Sequence, residues 1–246
     1  MLNLRQYQLL DFGEGRRLER FRQFVVDRPC PAAEGMPKAD PSIWRTAEAR
    51  FERDDSADGE WRGSRLAADP WTVAHGPVTF ELKLTPLGQV GIFPEQADNW
   101  DWIFAQAAAA AKSGQALRVL NLFAYTGGST LAAAAAGAEV VHVDAAKTVV
   151  AWARRNARHS GLESCPVRWL VEDASKFVRR ELARGNRYDA VILDPPSYGH
   201  GRRGEVWRLS KHLPGLLDAC AELTGGQPRF LLLTCHTAGF GPEQLA

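Results

Sequence analysis

The chain predicts an α/β fold, a doubly wound and mainly parallel sheet preceded by a small N-terminal β-containing region. Three observations carry this expectation. Five short apolar runs, at residues 118–122, 139–143, 167–171, 190–193 and 230–233, have the length of strands buried on both faces. Stretches of helical periodicity separate them, at residues 129–136, 146–159, 175–183 and 205–223, so a crossover helix joins each strand to the next. Glycines or carboxylates follow the strands, where a sheet of this kind binds its ligands.

Taken in order, residues 1–64 are charged and irregular, with Arg16-Arg17 and the patch Glu52-Arg53-Asp54-Asp55, and residues 29–41 read as a loop. From 78 to 84, Val78, Phe80, Leu82 and Leu84 alternate with Thr79, Glu81 and Lys83, the period of a half-buried strand. Thr85-Pro86-Leu87-Gly88 then supplies a turn into a second short strand at 89–93, which predicts a β-hairpin near 78–93. Trp100, Ile103, Phe104 and Ala107 stand at helical spacing within 99–111, with Gly114 as a stop. The alanine-rich stretches 107–111 and 132–136 read as close-packed helix faces, the second ended by Gly137. This divides the chain into an N-terminal region, 1–90, and a larger domain, 91–246.

Thirty basic against twenty-nine acidic side chains leave a net charge of +1, so any basic surface must be local. Cys30, Cys165, Cys220 and Cys235 are scattered without a C-x-x-C pair, which argues against a zinc site and a disulfide scaffold and favours a reduced, cytoplasmic setting. No apolar run approaches the ~20 residues of a membrane span.

The first strand-end loop is Asn121-Leu122-Phe123-Ala124-Tyr125-Thr126-Gly127-Gly128. Gly127 and Gly128 permit a tight turn and close approach of a ligand, although alone they read equally as an ordinary strand-to-helix turn. The G-x-G-x-x-G order is absent, with Phe123 and Tyr125 where two glycines are wanted, which disfavours a dinucleotide. The second strand ends at Asp144, seventeen residues after Gly127, where a carboxylate can accept both hydroxyls of a ribose. Taken singly, Asp144 reads as the cap of the helix beginning at Ala145 or Ala146. The third strand ends Glu172-Asp173-Ala174, whose carboxylates can accept an adenine amino group, Asp173 also reading as a helix cap. Together these loops describe an adenosine-binding edge without a pyrophosphate site. After the fourth strand comes Asp194-Pro195-Pro196-Ser197-Tyr198-Gly199, where the double proline fixes an extended backbone and aims Asp194 and the Pro195 carbonyl at one point.

These residues resemble the class I S-adenosylmethionine-dependent methyltransferases. More narrowly, the segments 121–128, His142-Val-Asp-Ala-Ala-Lys147, Glu172-Asp-Ala-Ser-Lys-Phe177 and 194–199, with Gly91-Ile92-Phe93-Pro94-Glu95-Gln96 before them, resemble bacterial enzymes that methylate large-subunit ribosomal RNA, including the 5-methylcytosine enzymes. The resemblance implies a Rossmann-like sheet, S-adenosylmethionine as cofactor and RNA as partner, and leaves the oligomeric state open. It assigns the cofactor's methionine part to Asn121, Phe123, Ala124, Tyr125, Thr126, Gly127 and Gly128. The ribose falls to Asp144 and Ala145, the adenine to Glu172, Asp173 and Ala174, and the target base to Asp194, Pro195, Pro196 and Ser197. The sequence departs from the family in showing no clear RNA-binding module near its start. It also ends at Ala246, where the fold would supply another helix and an antiparallel hairpin.

An unpaired nucleotide is the expected target, since a paired base must first be flipped out. Tyr198 can stack on it or pack in its own loop. Carbon 5 of cytosine is the favoured acceptor atom; it needs a nucleophile adding to carbon 6, and Cys235 at the end of the fifth strand is the candidate beside Asp194, although a cysteine after an apolar strand also reads as a core residue. With Cys235 inert, the acceptor becomes a ring nitrogen or an exocyclic amine. The segment Gly199-His200-Gly201-Arg202-Arg203-Gly204 can follow a phosphate backbone or form a solvated turn. His200 and His236 read as surface or capping residues. A protein that binds the cofactor without turnover, and a methyltransferase acting on a protein or a small molecule, remain as alternatives.

Overall fold

The computed structural model describes residues 2–53, 59–63, 71–200, 206–237, 240–241 and 243. Asp54, Asp55 and the run Gly201-Arg202-Arg203-Gly204 lie outside them. Contacts divide the chain into two compact units, Met1–Asp98 and Asn99–Ala246.

The first unit is a five-stranded sheet in the order β1 (Tyr7–Gly13), β2 (Arg16–Phe21), β3 (Phe24–Pro29), β4 (Ala49–Arg53) and β5 (Gly59–Arg62). β1 to β3 form an antiparallel meander, β4 joins β3 in parallel, and β5 returns antiparallel. Gly13 pairs with Arg16 across Glu14-Gly15, and both central residues have positive φ, +53° and +71°, as a type I′ turn requires. A five-stranded sheet thus occupies the stretch that reads as irregular from its sequence. Leu18, Phe21, Val26 and Phe51 fill its core beside a wholly buried ion pair, Glu19 with Arg28.

The predicted hairpin near 78–93 is corrected. β6 (Thr72–His75) pairs with β7 (Val78–Glu81) across Gly76-Pro77, so β7 finds its partner upstream. Gly76 has φ +52°, the positive value favoured at the first central residue of a type II′ turn. The turn around Thr85–Gly88 does form, with Lys83 N–H donating to Val90 O and Thr85 N–H to Gln89 O, but no strand follows it.

The second unit begins within α1 (Ala97–Lys112) and continues β8 (Arg118–Leu122), α2 (Gly128–Ala135), β9 (Glu139–Asp144), α3 (Lys147–His159), β10 (Val167–Val171), α4 (Ala174–Ala183) and β11 (Ala190–Leu193). A small hairpin follows, β12 (Tyr198–His200) with β13 (Val206–Arg208), then α5 (Leu209–Leu223) and β14 (Phe230–Leu233). The five long strands form an all-parallel sheet in the order β10-β9-β8-β11-β14. This is the doubly wound sheet the sequence predicts. The helix expected from residue 205 starts instead at Leu209, because 206–208 are taken up by pairing with β12.

Strand alternation sorts the sheet's two faces. Leu120, Leu122, Val141, Val143, Val191 and Leu193 join the core cluster that also includes residues of α4 and α5. The intervening residues Asn121 and His142 are register partners on the opposite face, where they meet Thr130 of α2.

Candidate active site

All the strand-end loops singled out in the sequence lie at the carboxyl edge of this one sheet. The loop after β8 is held in an uncommon conformation. Phe123 and Tyr125 have φ of +55° and +48°, and Gly127 +91°. Two bulky aromatics thus adopt the left-handed backbone that glycines take elsewhere, which costs on the order of 1–3 kcal/mol each and persists only where the surroundings enforce it. They do. Ala124 N–H donates to Val143 O at 3.1 Å, and Tyr125 N–H donates to Asp144 Oδ2 at 2.9 Å. The Phe123 ring packs 5.0 Å from Trp207, and the Thr126 carbonyl accepts the buried Asn156 amide at 2.9 Å.

The glycines of this loop serve packing. A Cβ on Gly128 would fall 2.7 Å from the indole of Trp100, and one on Gly127 would stand 3.1 Å from Ala153. Asn121 is buried under the loop, its amide donating to Thr130 Oγ1 at 2.9 Å. With that acceptor site used, the Thr130 hydroxyl is free to donate to His142 Nδ1, also 2.9 Å away. Burial pushes the His142 pKa down to about 3, with Arg154 adding to the effect, so the imidazole is neutral.

Asp144 links three loops. Its Oδ2 accepts from Tyr125 N–H, its Oδ1 from Ala146 N–H at 2.9 Å, and its carbonyl from Glu172 N–H at 3.0 Å. It is not the N-cap of α3, which is Ala146. Burial raises its pKa, opposed by the Ala146 and Tyr125 amides. A carboxylate offers about four acceptor positions, so these two bonds leave capacity for hydroxyl donors. Ala145 lies half-buried between Asp144 and that cap.

At the next strand end, Asp173 caps α4, its Oδ1 accepting from Lys176 N–H at 2.8 Å. Glu172 is engaged by Arg180 through both oxygens, one bond at 2.6 Å. Ala174 is buried as the first residue of α4.

The loop after β11 is organised from β14 and from the β12–β13 hairpin. Asp194 Oδ1 accepts the Thr234 hydroxyl at 2.5 Å and lies 3.6 Å from His236 Nε2. The Ser197 and Thr237 hydroxyls are 2.6 Å apart, Pro196 O accepts the Trp207 indole N–H at 2.7 Å, and Ser197 O accepts Leu209 N–H at 3.0 Å. Pro195 is buried between Asp194 and Pro196, and Tyr198 is exposed at the start of β12. Cys235 stands two residues beyond β14, close to the strand end the sequence implies, and it packs against the core cluster. Thr234 and His236, on either side of it, both reach Asp194.

Sequence reasoning missed Thr234, Trp207 and Asn156. The first could have been read from its place at a strand end; the other two act through contacts remote in sequence.

A family profile described as S-adenosylmethionine-dependent methyltransferase matches residues 43–239, most of the chain. The chain belongs to the S-adenosylmethionine-dependent methyltransferases. The crystal structure of the S-adenosylmethionine-dependent methyltransferase from Agrobacterium tumefaciens superposes with a TM-score of 0.89 at 40% identity, covering 98% of this chain and 76% of that one. Ribosomal RNA large subunit methyltransferase I of Aeromonas salmonicida is 35% identical over 115 residues, 46% of this chain and 27% of that protein. Ribosomal RNA large subunit methyltransferase K of Neisseria meningitidis serogroup B is 24% identical over 180 residues, 72% of this chain and 49% of its own. This methyltransferase chain thus spans between about a sixth and a half of the curated relatives it matches. Its strand-end donor set, a half-buried Asp144 with acceptor capacity beside a main-chain loop in fixed conformation, suits the family's cofactor.

Proposed function

We propose that this chain transfers a methyl group from S-adenosylmethionine to a nucleobase of large-subunit ribosomal RNA, at a ring nitrogen or an exocyclic amine. The observation that carries the reading is the pairing of two ordered loops on adjacent strands. One, after β8, is tied to Asp144; the other, after β11, presents Asp194 and the Pro195 carbonyl.

In this reading Asp144 accepts the ribose hydroxyls, with Ala145 beside it. Asp173 accepts the adenine amino group with Ala174 beneath, and the segment from Asn121 to Gly128 lines the methionine part. Asn121 acts through Thr130 rather than by direct contact, and Glu172 acts through Arg180. The cofactor, when bound, supplies a methyl group on a positively charged sulfur. Asp194, Pro195, Pro196 and Ser197 hold the target base. Asp194 is fixed in one orientation by Thr234, so its carboxylate can accept an N–H of the base and point the nitrogen lone pair at the methyl carbon. Holding both partners in line supplies most of the rate enhancement such a transfer needs. The base must enter unpaired or flipped, at a cost of a few kcal/mol, and exposed Tyr198 offers a ring to stack on.

A nitrogen acceptor is preferred to carbon 5 of cytosine because the carbon route needs a thiolate on the base. Cys235 packs against the core cluster, and Thr234 and His236 are the residues of its segment that reach Asp194. The relatives' names support ribosomal RNA as the acceptor, and such a substrate puts the protein in the cytoplasm.

The test is incubation of the purified chain with S-adenosylmethionine and unmodified large-subunit ribosomal RNA, followed by nucleoside mass spectrometry. A new N-methylated nucleoside is expected. A 5-methylcytosine product would overturn the choice of atom. Cofactor binding in calorimetry with no transfer to RNA would favour a binding protein, or a different class of acceptor.

A further inference from the structure

We infer that Trp207 is a positioning residue that couples the cofactor loop to the acceptor loop, so that ordering one orders the other. The inference rests on the cofactor reading above and adds to it a residue outside every strand-end motif.

Trp207 comes from the β12–β13 hairpin, a chain excursion between β11 and α5. It is only 9% exposed and touches both loops at once. Its indole N–H donates to the Pro196 carbonyl at 2.7 Å, and its ring lies 5.0 Å from the Phe123 ring at an interplanar angle of 55°. A buried indole N–H needs its acceptor, so the Pro196 carbonyl cannot move without either carrying Trp207 along or leaving a donor unsatisfied. Phe123 cannot move freely either, because its positive φ persists only while its surroundings enforce it.

Trp207 is itself braced. The His212 ring stacks on it at 5.5 Å and 29°, and His212 is held in place because its Nδ1 lies 2.9 Å from both the N–H and the carbonyl oxygen of Arg208. The hairpin pairs Gly199 with Trp207, and Leu209 N–H donates to Ser197 O, so the residues flanking Trp207 are bonded to the acceptor loop as well. The two loops meet through one rigid, two-ended side chain. A ligand that fixes Phe123 therefore fixes Pro196 and, next to it, the Asp194–Pro195 pair.

The test compares wild type, Trp207→Phe and Phe123→Leu by calorimetry with S-adenosylhomocysteine and by amide hydrogen exchange, with and without that ligand at saturation. In wild type the ligand is expected to slow exchange at Leu209, whose N–H bonds Ser197 O, by about tenfold or more. Trp207→Phe keeps an aromatic ring against Phe123 but deletes the N–H. It should hold ligand affinity within about threefold while abolishing the ligand-induced protection at Leu209, and it should lower kcat more than it raises the KM for the cofactor. Phe123→Leu should abolish the same protection from the other end, and serves alone should the Trp207 variant not fold. Retained protection at Leu209 in either folded variant would overturn the coupling. Absence of ligand binding to folded wild type would instead sink the cofactor reading, an outcome the calorimetry separates from failure of the coupling.

Discussion

Tyr125 donates its backbone N–H to Asp144 Oδ2 at 2.9 Å while holding a φ of +48°. The carboxylate thus fixes the loop after β8, and in the proposed function it also accepts the hydroxyls of the cofactor.

Asp144→Asn tests both together. Hydrogen bonds to a charged group contribute about 1.5–3 kcal/mol each, so the affinity for S-adenosylmethionine should fall tenfold or more at pH 7. Because burial raises the Asp144 pKa, its charged form is disfavoured in the free protein, and the stability it contributes is present below the ordinary carboxylate pKa and lost as pH rises through the raised one. Hydroxyl donors favour the charged form. Wild-type affinity should therefore weaken as pH falls through that raised pKa, whereas the variant's should stay flat. Calorimetric titrations across mildly acid pH would show this, and parallel pH profiles would remove Asp144 from the binding site.

Cys235→Ser separates the two acceptor chemistries. With Cys235 packed against the core cluster, the serine variant should keep methyl transfer within about twofold. Loss of transfer with cofactor affinity intact would restore the cysteine as a nucleophile and move the acceptor atom to carbon 5.

The parallel sheet was legible because its strands are apolar on both faces and their turns carry glycine, aspartate or proline; the runs at 118–122, 167–171, 190–193 and 230–233 are the observed strands. The first unit was not legible, for two physical reasons. Its buried positions include Glu19, Asp27 and Arg28, so the apolar alternation that marks a strand is broken. Its first two hairpin turns also place Glu14 and Arg22 at positive φ, where a reader looks for glycine or asparagine. At the site, strand-end position pointed to Asp144, Asp173 and Asp194. It could not reveal that Glu172 is drawn to Arg180 or that Trp207 meets Phe123, since both depend on side-chain contacts.

His142 makes the domain acid-sensitive. Its folded pKa of about 3 lies below the ordinary histidine value, so as pH falls below about 6.5 the unfolded chain takes up a proton that the folded one refuses. Each pH unit in that window costs about 1.4 kcal/mol. His142→Asn keeps an acceptor for the Thr130 hydroxyl but cannot titrate. Urea unfolding at pH 7 and pH 5 should show a stability loss about 2 kcal/mol smaller in the variant than in wild type. An equal loss in both would mean that the imidazole is protonated within the fold.

The ion pair in the N-terminal sheet makes the last prediction. Arg28 bonds both oxygens of Glu19, one bond at 3.1 Å, and donates to Gln89 at 3.0 Å, while Tyr7 donates to the same carboxylate at 3.0 Å. Both charges are buried. Removing one member strands the other, so Arg28→Met should destabilise the chain by about 3–5 kcal/mol. Replacing both removes the stranded charge as well as the desolvation cost. The double variant Glu19→Met with Arg28→Met should therefore recover at least half of the loss, despite leaving the Tyr7 hydroxyl without this acceptor. Equilibrium unfolding of the two variants decides the matter. A double variant no more stable than Arg28→Met would mean that the carboxylate's contacts to Tyr7 and to Arg17, 3.4 Å away, hold the sheet together independently of Arg28.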